Sequence, residues 1–206
     1  AATLARLRQW TQDPSEHVRR LVSEGTRPRL PWAPRLPAFQ KDPAPVLALL
    51  ELLKDDPALY VRRSVANNLN DIGKDHPEVL TRTTHQWLQG ASEERQWIVR
   101  HALRTAIKRG EPGALAVLGF GAQADVAVRS AQITPSRAAI GEKVVLAFEV
   151  VNRSAAPQRV LVDFRIHYTK ATGSTAAKVF KLKTPELQAG DTARLGVEAI
   201  LAAGSY

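Results

Sequence analysis

The sequence contains no cysteine and no methionine, and only 6% of its residues are aromatic. Without cysteine, disulfides and thiolate zinc sites are excluded, and the chain is compatible with a reducing compartment. No apolar run approaches the ~20 residues of a membrane-spanning helix, and no signal-peptide pattern opens the chain. Because methionine is absent even at position 1, we expect the sequence to begin inside a longer protein.

Positive charge, in contrast, is abundant. The 206 residues include 29 Lys and Arg against 20 Asp and Glu, which gives a formal net charge of +9 and a pI near 10.2. This balance favours a negatively charged partner such as nucleic acid or an anionic membrane surface. Hydrophobic residues make up 44% of the chain, enough for the core of one large domain or two small ones.

The first half of the chain repeats itself and has the hydrophobic period of α-helices. DPSEHVRRLV at 13–22 and DPALYVRRSV at 56–65 match 43 residues apart, and WIVRHAL at 97–103 is a weaker third copy. In the repeats, and again at 42, an Asp-Pro pair places an acceptor before a helix-compatible proline. A period of about 40 residues with two helices per unit is typical of HEAT-like repeats. We therefore predict a solenoid of HEAT-like helical repeats over residues 1–124.

After Asp125 the spacing of the hydrophobic residues changes from the period of a helix to a period of two residues, which is that of a strand. Apolar residues alternate with their neighbours in 144–150 and 160–168, and Val179 and Leu182 follow. Short alternating segments separated by turn residues predict a small antiparallel β-sandwich over 125–206. The stretch 110–123 between the halves is interpreted as a last helix and a linker. The predicted fold class is α + β multidomain, an α-solenoid followed by a β-sandwich.

Each repeat carries an arginine at the head of a polar helix face, namely Arg20, Arg63 and Arg100 in the three copies. Further polar residues continue these faces at helical spacing, with Asn67, Asn70 and Lys74 after Arg63, and Arg104 and Lys108 after Arg100. Three such faces side by side predict a cationic trough. Its natural occupant is a phosphodiester backbone, because arginine donors fit phosphate oxygens and counterions are released on contact.

A single stretch, 13–32, combines a helical turn with a carboxylate, several arginines and a tryptophan. Val18, Leu21 and Val22 predict a buried stripe, and Glu24 lies on the opposite face, four residues after Arg20. Glycine and proline then end the helix, so the chain continues as a proline-rich loop up to Trp32. This composition favours binding of a polyanion.

The motifs VRRLVSEGTRPRLPW and YVRRSVANNLNDIGKDHPEVL resemble those of the DNA alkylation repair enzymes of the AlkC type, relatives of the AlkD HEAT-repeat DNA glycosylases. The resemblance covers roughly residues 3–195. In the second half, VDFRIHYTKATGSTAAKVFKLKTPEL resembles the Ig-like C-terminal domain of that family. An Ig-like β-sandwich is therefore implied for 125–206.

The resemblance implies excision of cationic alkylated bases of the 3-methyladenine, 3-methylcytosine and 1-methyladenine class from duplex DNA, without deep base flipping. Glu24 matches the glutamate of the family's SEG motif and is the candidate catalytic carboxylate, with Trp32 beside the lesion nucleotide. The residues expected to hold phosphates are Arg19, Arg20, Arg27, Arg29, Arg63, Asn67, Asn68, Lys74, Arg100 and Arg104. In the second half, DNA-backbone contacts are expected from Arg165, Lys178, Lys181 or Lys183.

No cofactor is implied, and no metal site is expected because the five histidines do not have metal-ligand spacing. We expect a monomer that acts on double-stranded DNA in the bacterial cytoplasm, associated with the nucleoid, with no membrane partner. AlkC-type enzymes carry further repeats upstream, including another acidic residue, to which nothing here corresponds. The ending LGVEAILAAGSY does not resemble that of the family, so we expect an incomplete sandwich with an open edge.

Other interpretations remain open. Glu24 could form only a local salt bridge to Arg20 or Arg27, and Trp32 could fill the seam between repeats. One arginine of each VRR motif is expected to be structural, and Asn67 and Asn68 could bond a neighbouring repeat. The whole chain could be a non-catalytic HEAT-repeat DNA-binding module, or a protein-interaction scaffold for an acidic partner.

Overall fold

The computed structural model describes residues 2–121, 124–170 and 172–200. The chain forms two compact units, Ala1–Gly119 and Phe120–Tyr206. The first is helical and the second is made of antiparallel strands, which confirms the predicted fold class. No helix in these described ranges is long and apolar enough to cross a membrane.

The helical unit contains, within the described ranges, α1 (Ala2–Trp10), α2 (Glu16–Glu24), α3 (Pro37–Lys41), α4 (Ala44–Leu53), α5 (Leu59–Ile72), α6 (Pro77–Leu88), α7 (Glu93–Lys108) and α8 (Pro112–Val117). Helices α2, α5 and α7 contain the three sequence copies, and α5 packs against both α2 and α7. The predicted repeats are therefore present as neighbouring helices. The predicted last helix before the linker is α8.

Aspartates begin the repeats as the Asp-Pro pairs predict. Asp13, Asp42 and Asp56 each accept a hydrogen bond from the backbone N–H two residues later, at 2.9, 3.0 and 2.9 Å. These bonds satisfy N–H groups that have no partner within the helix. The sequence signal was correct because it depends only on neighbouring residues.

A single apolar core holds the helical unit together. Its fully buried members include Val22, Val46, Leu50, Val65, Leu69, Ile98 and Leu103. The prediction of a buried stripe on α2 is correct for Val22 and wrong for Leu21, which is 50% exposed. Helix α5 covers the face of α2 that carries Val22 and Ser23, and Leu21 lies outside it.

In the second unit, the described residues form β1 (Val126–Thr134), β2 (Lys143–Asn152), β3 (Gln158–Arg159), β4 (Val162–Thr169), β5 (Thr175–Lys183), β6 (Glu186–Leu187) and β7 (Thr192–Ile200). Strands β1, β2 and β7 form one sheet, with β2 in the centre, while β4 pairs with β5 and β3 with β6. Val150, Val160, Leu187 and Leu195 form the shared core of these sheets.

Strands β2, β4 and β5 confirm the alternating segments, whereas β1 and β7 were not predicted. The sequence LGVEAI at 195–200 belongs to β7, which pairs along β2 from Val151↔Thr192 to Lys143↔Ile200. These six residues therefore lie in a strand although they do not resemble the family's ending, and the expectation of an incomplete sandwich stays a prediction. Residues 201–206 lie outside the described residues.

Candidate nucleic-acid interface

The carboxylate of Glu24 lies at the end of α2 and is held from both sides. Its Oε1 accepts a hydrogen bond from Arg27 Nη1 at 2.8 Å, and its Oε2 accepts one from Ser64 Oγ of α5 at 2.6 Å. Arg20 Nη2 is 3.5 Å from Oε2. The side chain keeps 17% of its surface exposed. The carboxylate is thus fixed between two repeats, yet it still reaches solvent.

A buried ion pair holds the donor Arg27 in place. Its Nε and Nη2 both lie 2.8 Å from Oδ2 of Asp71, near the end of α5. Asp71 is 1% exposed and accepts a further bond from Lys74 Nζ at 2.8 Å. We call Arg20, Glu24, Arg27, Ser64 and Asp71 the Glu24 cluster. It locks the end of α2 to α5.

Sequence reasoning identified Glu24, Arg20 and Arg27 but missed Asp71 and Ser64. Asp71 lies 44 residues from Arg27, so no local pattern joins the two. The one available signal was Asp71's position, four residues after Asn67 on the polar face of α5. Ser64 Oγ is the donor in its hydrogen bond to Glu24, because an ionised carboxylate only accepts hydrogen bonds.

Aromatic rings occupy the position three residues before each repeat arginine, at His17, Tyr60 and Trp97. The Cζ atom of Arg20 lies 4.5 Å from the Tyr60 ring centroid, and the rings of His17 and Tyr60 meet edge to face at 5.6 Å. Arg20 therefore reaches from α2 onto α5. These contacts place the arginine face of the first repeat directly beside that of the second.

Between α5 and α7, Asn67 Oδ1 accepts hydrogen bonds from Arg104 Nη2 at 2.9 Å and lies 3.2 Å from His101 Nε2. Burial lowers the pKa of the Arg104 guanidinium. Burial, together with the charges of Arg104 and Arg63, also lowers the pKa of His101. Within the described ranges, no carboxylate lies within ion-pair distance of Arg104. The charge of Asp71 acts on Arg104 in the opposite direction and raises its pKa.

Two of the arginines that begin the polar helix faces are exposed, namely Arg63 on α5 and Arg100 on α7. Arg100 Nη1 lies 3.5 Å from Gln96 Oε1 on its own helix. Arg63 makes no hydrogen bond or ion pair to another described residue, although its charge is felt at His101. Lys74 keeps a third of its side chain exposed beside Asp71. These side chains, with Arg104 and Asn67, are predicted phosphate contacts that keep part of their surface exposed.

Four predicted phosphate contacts require correction because their side chains are used inside the protein. Arg19 pairs with Asp56 of the next repeat, with Nε 2.6 Å from Oδ2. Arg19 and Arg62 also donate to both backbone carbonyls of the Asp-Pro pair before their own helix. This agrees with the expectation that one arginine of each VRR motif is structural.

Asn68, Arg27 and Arg29 are the other corrections. Asn68 has no exposed surface, and its Nδ2 donates to Ser23 O at 2.7 Å and to Thr26 Oγ1 at 3.1 Å. The guanidinium of Arg27 is buried in the Glu24 cluster. Arg29 forms a two-bond pair with Asp75. Asn68 and Arg27 would have to leave their partners before they could contact a phosphate, whereas Arg29 keeps 26% of its side chain exposed beside Asp75.

Trp32 is the most exposed large apolar residue of the described chain, at 105% of its reference surface. Its φ of 63° is in the left-handed region, which bulky residues rarely adopt. The alternative that Trp32 fills a seam between repeats is thereby excluded. The indole therefore lies on the surface and does not pack in the core of the described residues.

In the second unit, Arg165, Lys178, Lys181 and Lys183 are all exposed on the β4–β5 hairpin. They do not share one face. Arg165 pairs in register with Val179, so it points to the same side as Lys181, whereas Lys178 lies on the side of Phe180 with Nζ 5.3 Å from that ring. Arg165 and Lys181 are therefore the better candidates for a common contact.

A helical-repeat solenoid followed by a β-sandwich is the class that this fold defines. A family model described as "Uncharacterised protein YhaZ, C-terminal Ig-like domain" matches residues 127–202. The uncharacterized protein YhaZ of Bacillus subtilis (strain 168) is 42% identical over 189 residues, covering 92% of this chain and 52% of that protein. The solved structure of Pseudomonas fluorescens alkylpurine DNA glycosylase AlkC bound to DNA containing an abasic site analog is 46% identical, with a TM-score of 0.92.

That structure covers 99% of this chain, while the chain covers 56% of it. The chain thus spans about half the length of the relatives it matches. These similarities confirm the resemblance to the AlkC type that the sequence motifs predict, over the part of such proteins that the chain spans. They also confirm the Ig-like character of the second unit.

Proposed function

We propose that this chain carries the base-excision site of a DNA glycosylase that removes cationic alkylated bases from duplex DNA. The observation that carries the proposal is the Glu24 carboxylate, fixed by donors from two helices and still open to solvent. The exposed cations of α5 and α7 extend from it. The similarity to an alkylpurine DNA glycosylase bound to DNA supports the same function.

The chemistry requires little of the protein beyond a placed negative charge. A ring-alkylated base with a formal positive charge is a good leaving group, and its N-glycosidic bond loosens towards an oxocarbenium-like sugar. A fixed carboxylate stabilises that cation and orients the attacking water. Arg27 and Ser64 each donate to one oxygen of the Glu24 carboxylate, Arg20 Nη2 lies 3.5 Å from Oε2, and each carboxylate oxygen can accept more than one hydrogen bond.

The remaining side chains position the duplex. Phosphates are held by Arg63, Arg100, Arg104, Asn67 and Lys74. Arg20 lies at the edge of this set. Arg104 donates to two neutral acceptors, His101 O and Asn67 Oδ1, so a phosphate would add a charged partner. Trp32 lies against the lesion nucleotide and attracts the cationic base through its π face. A monomer in the bacterial cytoplasm, close to the nucleoid, belongs to the same proposal.

The test is single-turnover release of 3-methyladenine from methylated duplex DNA by this chain. Glu24→Gln keeps the size of the side chain but removes the charge, and we expect the rate to fall by about 100-fold. Glu16→Gln on the exposed side of the same helix is the matched control and should retain the rate. A Glu24→Gln chain as fast as the wild type would remove Glu24 from catalysis.

A non-catalytic DNA-binding module is the second candidate. It is favoured by the engagement of both Glu24 oxygens inside the protein. Duplex binding without any base release by the wild-type chain would support it. Duplex affinity with no dependence on salt, or no duplex binding at all, would instead indicate a protein-interaction scaffold, because phosphate contacts release counterions.

A further inference from the structure

We propose that Asp75 is a positioning residue that holds the loop 28–37 in one conformation, so that the Trp32 indole is ready to enter a gap in the base stack of DNA. The loop 28–37 is called the Trp32 loop below. The inference rests on the proposed function. It adds a residue outside the Glu24 cluster and a physical reason for the conformation of Trp32.

The Trp32 loop is stiff by composition. Pro28, Pro31, Pro34 and Pro37 place a proline at every third position, and the loop contains no glycine. Each proline fixes its own φ near −65° and restricts the residue before it. A segment of this kind has few conformations to lose when it binds a partner.

Trp32 has an unfavourable backbone conformation and gains nothing from burial in the free protein. Its φ is 63° and its side chain is fully exposed. Surrounding structure must therefore impose the conformation, since the residue's own packing does not. The hydrogen bonds of the loop identify that structure.

Asp75, in the connection between α5 and α6, holds the chain on both sides of Trp32. Arg29 Nε donates to Asp75 Oδ2 at 2.8 Å, and Arg29 Nη2 bonds the other carboxylate oxygen. Gln40 Nε2, from α3 beyond the loop, lies 3.3 Å from Oδ2. The planar two-bond pair fixes the direction of the arginine as well as its distance.

Two further bonds complete the closure. Leu36 N donates to Pro28 O at 3.2 Å, joining the two ends of the loop, and Ala33 N donates to Leu30 O at 3.4 Å. The Arg29 hydrogen bond lowers the pKa of Asp75, so the carboxylate stays ionised and the pair stays intact at neutral pH. Without Asp75, the relaxation of Trp32 would be opposed by this weak backbone closure, the prolines and the contact of His76 Nε2 with Gln40 O at 2.7 Å.

A planar, fully exposed indole on a stiff loop suits a ligand with an open apolar slot between stacked rings. Duplex DNA offers such a slot where a base is missing, because aromatic side chains stack on bases regardless of sequence. The probe is a duplex containing a tetrahydrofuran abasic-site analogue, compared with the intact duplex of the same sequence. The ratio of the two dissociation constants measures the preference for the abasic duplex, to which the indole contributes.

The experiment is a double-mutant cycle on that ratio. We expect Trp32→Ala to reduce the preference for the abasic duplex about tenfold and Asp75→Asn about fivefold, corresponding to the loss of one stacking contact and of its preorganisation. In the Trp32→Ala background, Asp75→Asn should have no further effect, because Asp75 acts through Trp32. Asp55→Asn breaks another two-bond Arg–Asp pair, with Arg95, and should leave the ratio unchanged.

A ratio that survives Asp75→Asn, or that falls further when the two changes are combined, would overturn the inference. Amide hydrogen exchange in the absence of DNA gives an independent readout. Asp75→Asn should accelerate exchange at Ala33 and Leu36 about tenfold, and Asp55→Asn should not. Arg29→Lys, which keeps the charge but loses the two-bond geometry, should act in the same direction.

The two proposals fail differently. If the wild-type chain does not distinguish the abasic from the intact duplex, the role of Trp32 in the proposed function fails. Hydrogen exchange then still decides whether Asp75 holds the loop, and unchanged exchange at Ala33 and Leu36 would overturn that part as well.

Discussion

The helical unit and the β unit differ in how they use their ion pairs. In the helical unit, Arg19–Asp56 and Arg27–Asp71 cross from one repeat to the next with all four side chains at most 14% exposed. The pairs of the β unit include Lys143–Glu198, in which both side chains are more than half exposed. Buried pairs fix orientation, whereas exposed ones contribute little. A group that must be placed to within an ångström is therefore expected in the helical unit.

Their cores differ in the same direction. Among the described residues, the helical unit has 18 buried hydrophobic residues in one cluster, against four in the β unit. The sheets of the β unit also leave a cavity of about 340 Å³, lined by Ile133, Leu146, Phe164 and Val197 among others. A close-packed unit transmits the position of one side chain to the next. This makes the helical unit the better scaffold for catalysis and the β unit the better candidate for an accessory surface.

The largest expected effect tests this difference in packing. Leu69→Ala in the centre of α5, where the side chain is fully buried, should destabilise the helical unit by about 3–5 kcal/mol. Leu195→Ala in β7, which is 7% exposed, should cost the β unit about 1–3 kcal/mol, since fewer contacts are lost. Denaturation followed by tryptophan fluorescence reports on the first unit, because all four tryptophans lie there.

Hydrogen exchange of the β2 and β7 amides reports on the second unit. If Leu69→Ala and Leu195→Ala lowered the free energy of unfolding of their units equally, the comparison of the two cores would be contradicted. A Leu69→Ala chain that still unfolds at the wild-type denaturant concentration would contradict it more directly.

The helical repeats were predictable because each depends on residues close together in the sequence. Helix periodicity, Asp-Pro caps and the recurring VRR motif all act within about ten residues. Strand β1 gave no such signal, since seven of its nine residues are exposed and no alternation results. Strand β7 was missed because Gly196 interrupts it and its remaining small residues alternate only weakly.

The candidate site was predictable only in part. The sequence motifs identify Glu24 and Trp32, but the bonds that hold them come from Ser64 and Asp75, which are 40 or more residues away. Arginines that look alike in the sequence, such as Arg19 and Arg20, can be told apart only in the structure. Arg19 pairs with a carboxylate of the neighbouring repeat, whereas Arg20 lies against an aromatic ring there. Charge patterns predict a cationic surface, whereas partner geometry decides which cations are available.

An intermediate effect sharpens the distinction between available and occupied cations. Arg104→Gln should weaken binding to intact duplex DNA about tenfold and make the log–log salt slope shallower by about one. Arg95→Gln, on the same helix but paired with Asp55, should change both quantities much less. Salt titration by fluorescence anisotropy measures the two slopes, and identical slopes for the two variants would contradict the assignment.

A smaller effect concerns acid stability. The Arg29 hydrogen bond lowers the pKa of Asp75 below its ordinary value of 3.8. A carboxyl with a lowered folded-state pKa contributes stability above its ordinary value, and this is lost as the pH falls through the folded value. Asp75→Asn should therefore cost about 1 kcal/mol at pH 7 and less at pH 3. Urea denaturation at both pH values checks the sign, and an equal cost at the two would refute it.

The smallest effect tests whether the β unit contributes an accessory surface at all. Arg165→Gln combined with Lys181→Gln removes two exposed charges from one side of the β4–β5 hairpin. If this side contacts the DNA backbone, affinity should fall about two- to fourfold at low salt, and the loss should shrink as salt screens it. Lys143→Gln lies in the β1–β2–β7 sheet, where Lys143 pairs with Glu198 of the same sheet, and it controls for the general loss of positive charge. Equal losses in the two variants would mean that the β unit acts only through its net charge, and no loss in either would place every phosphate contact on the helical unit.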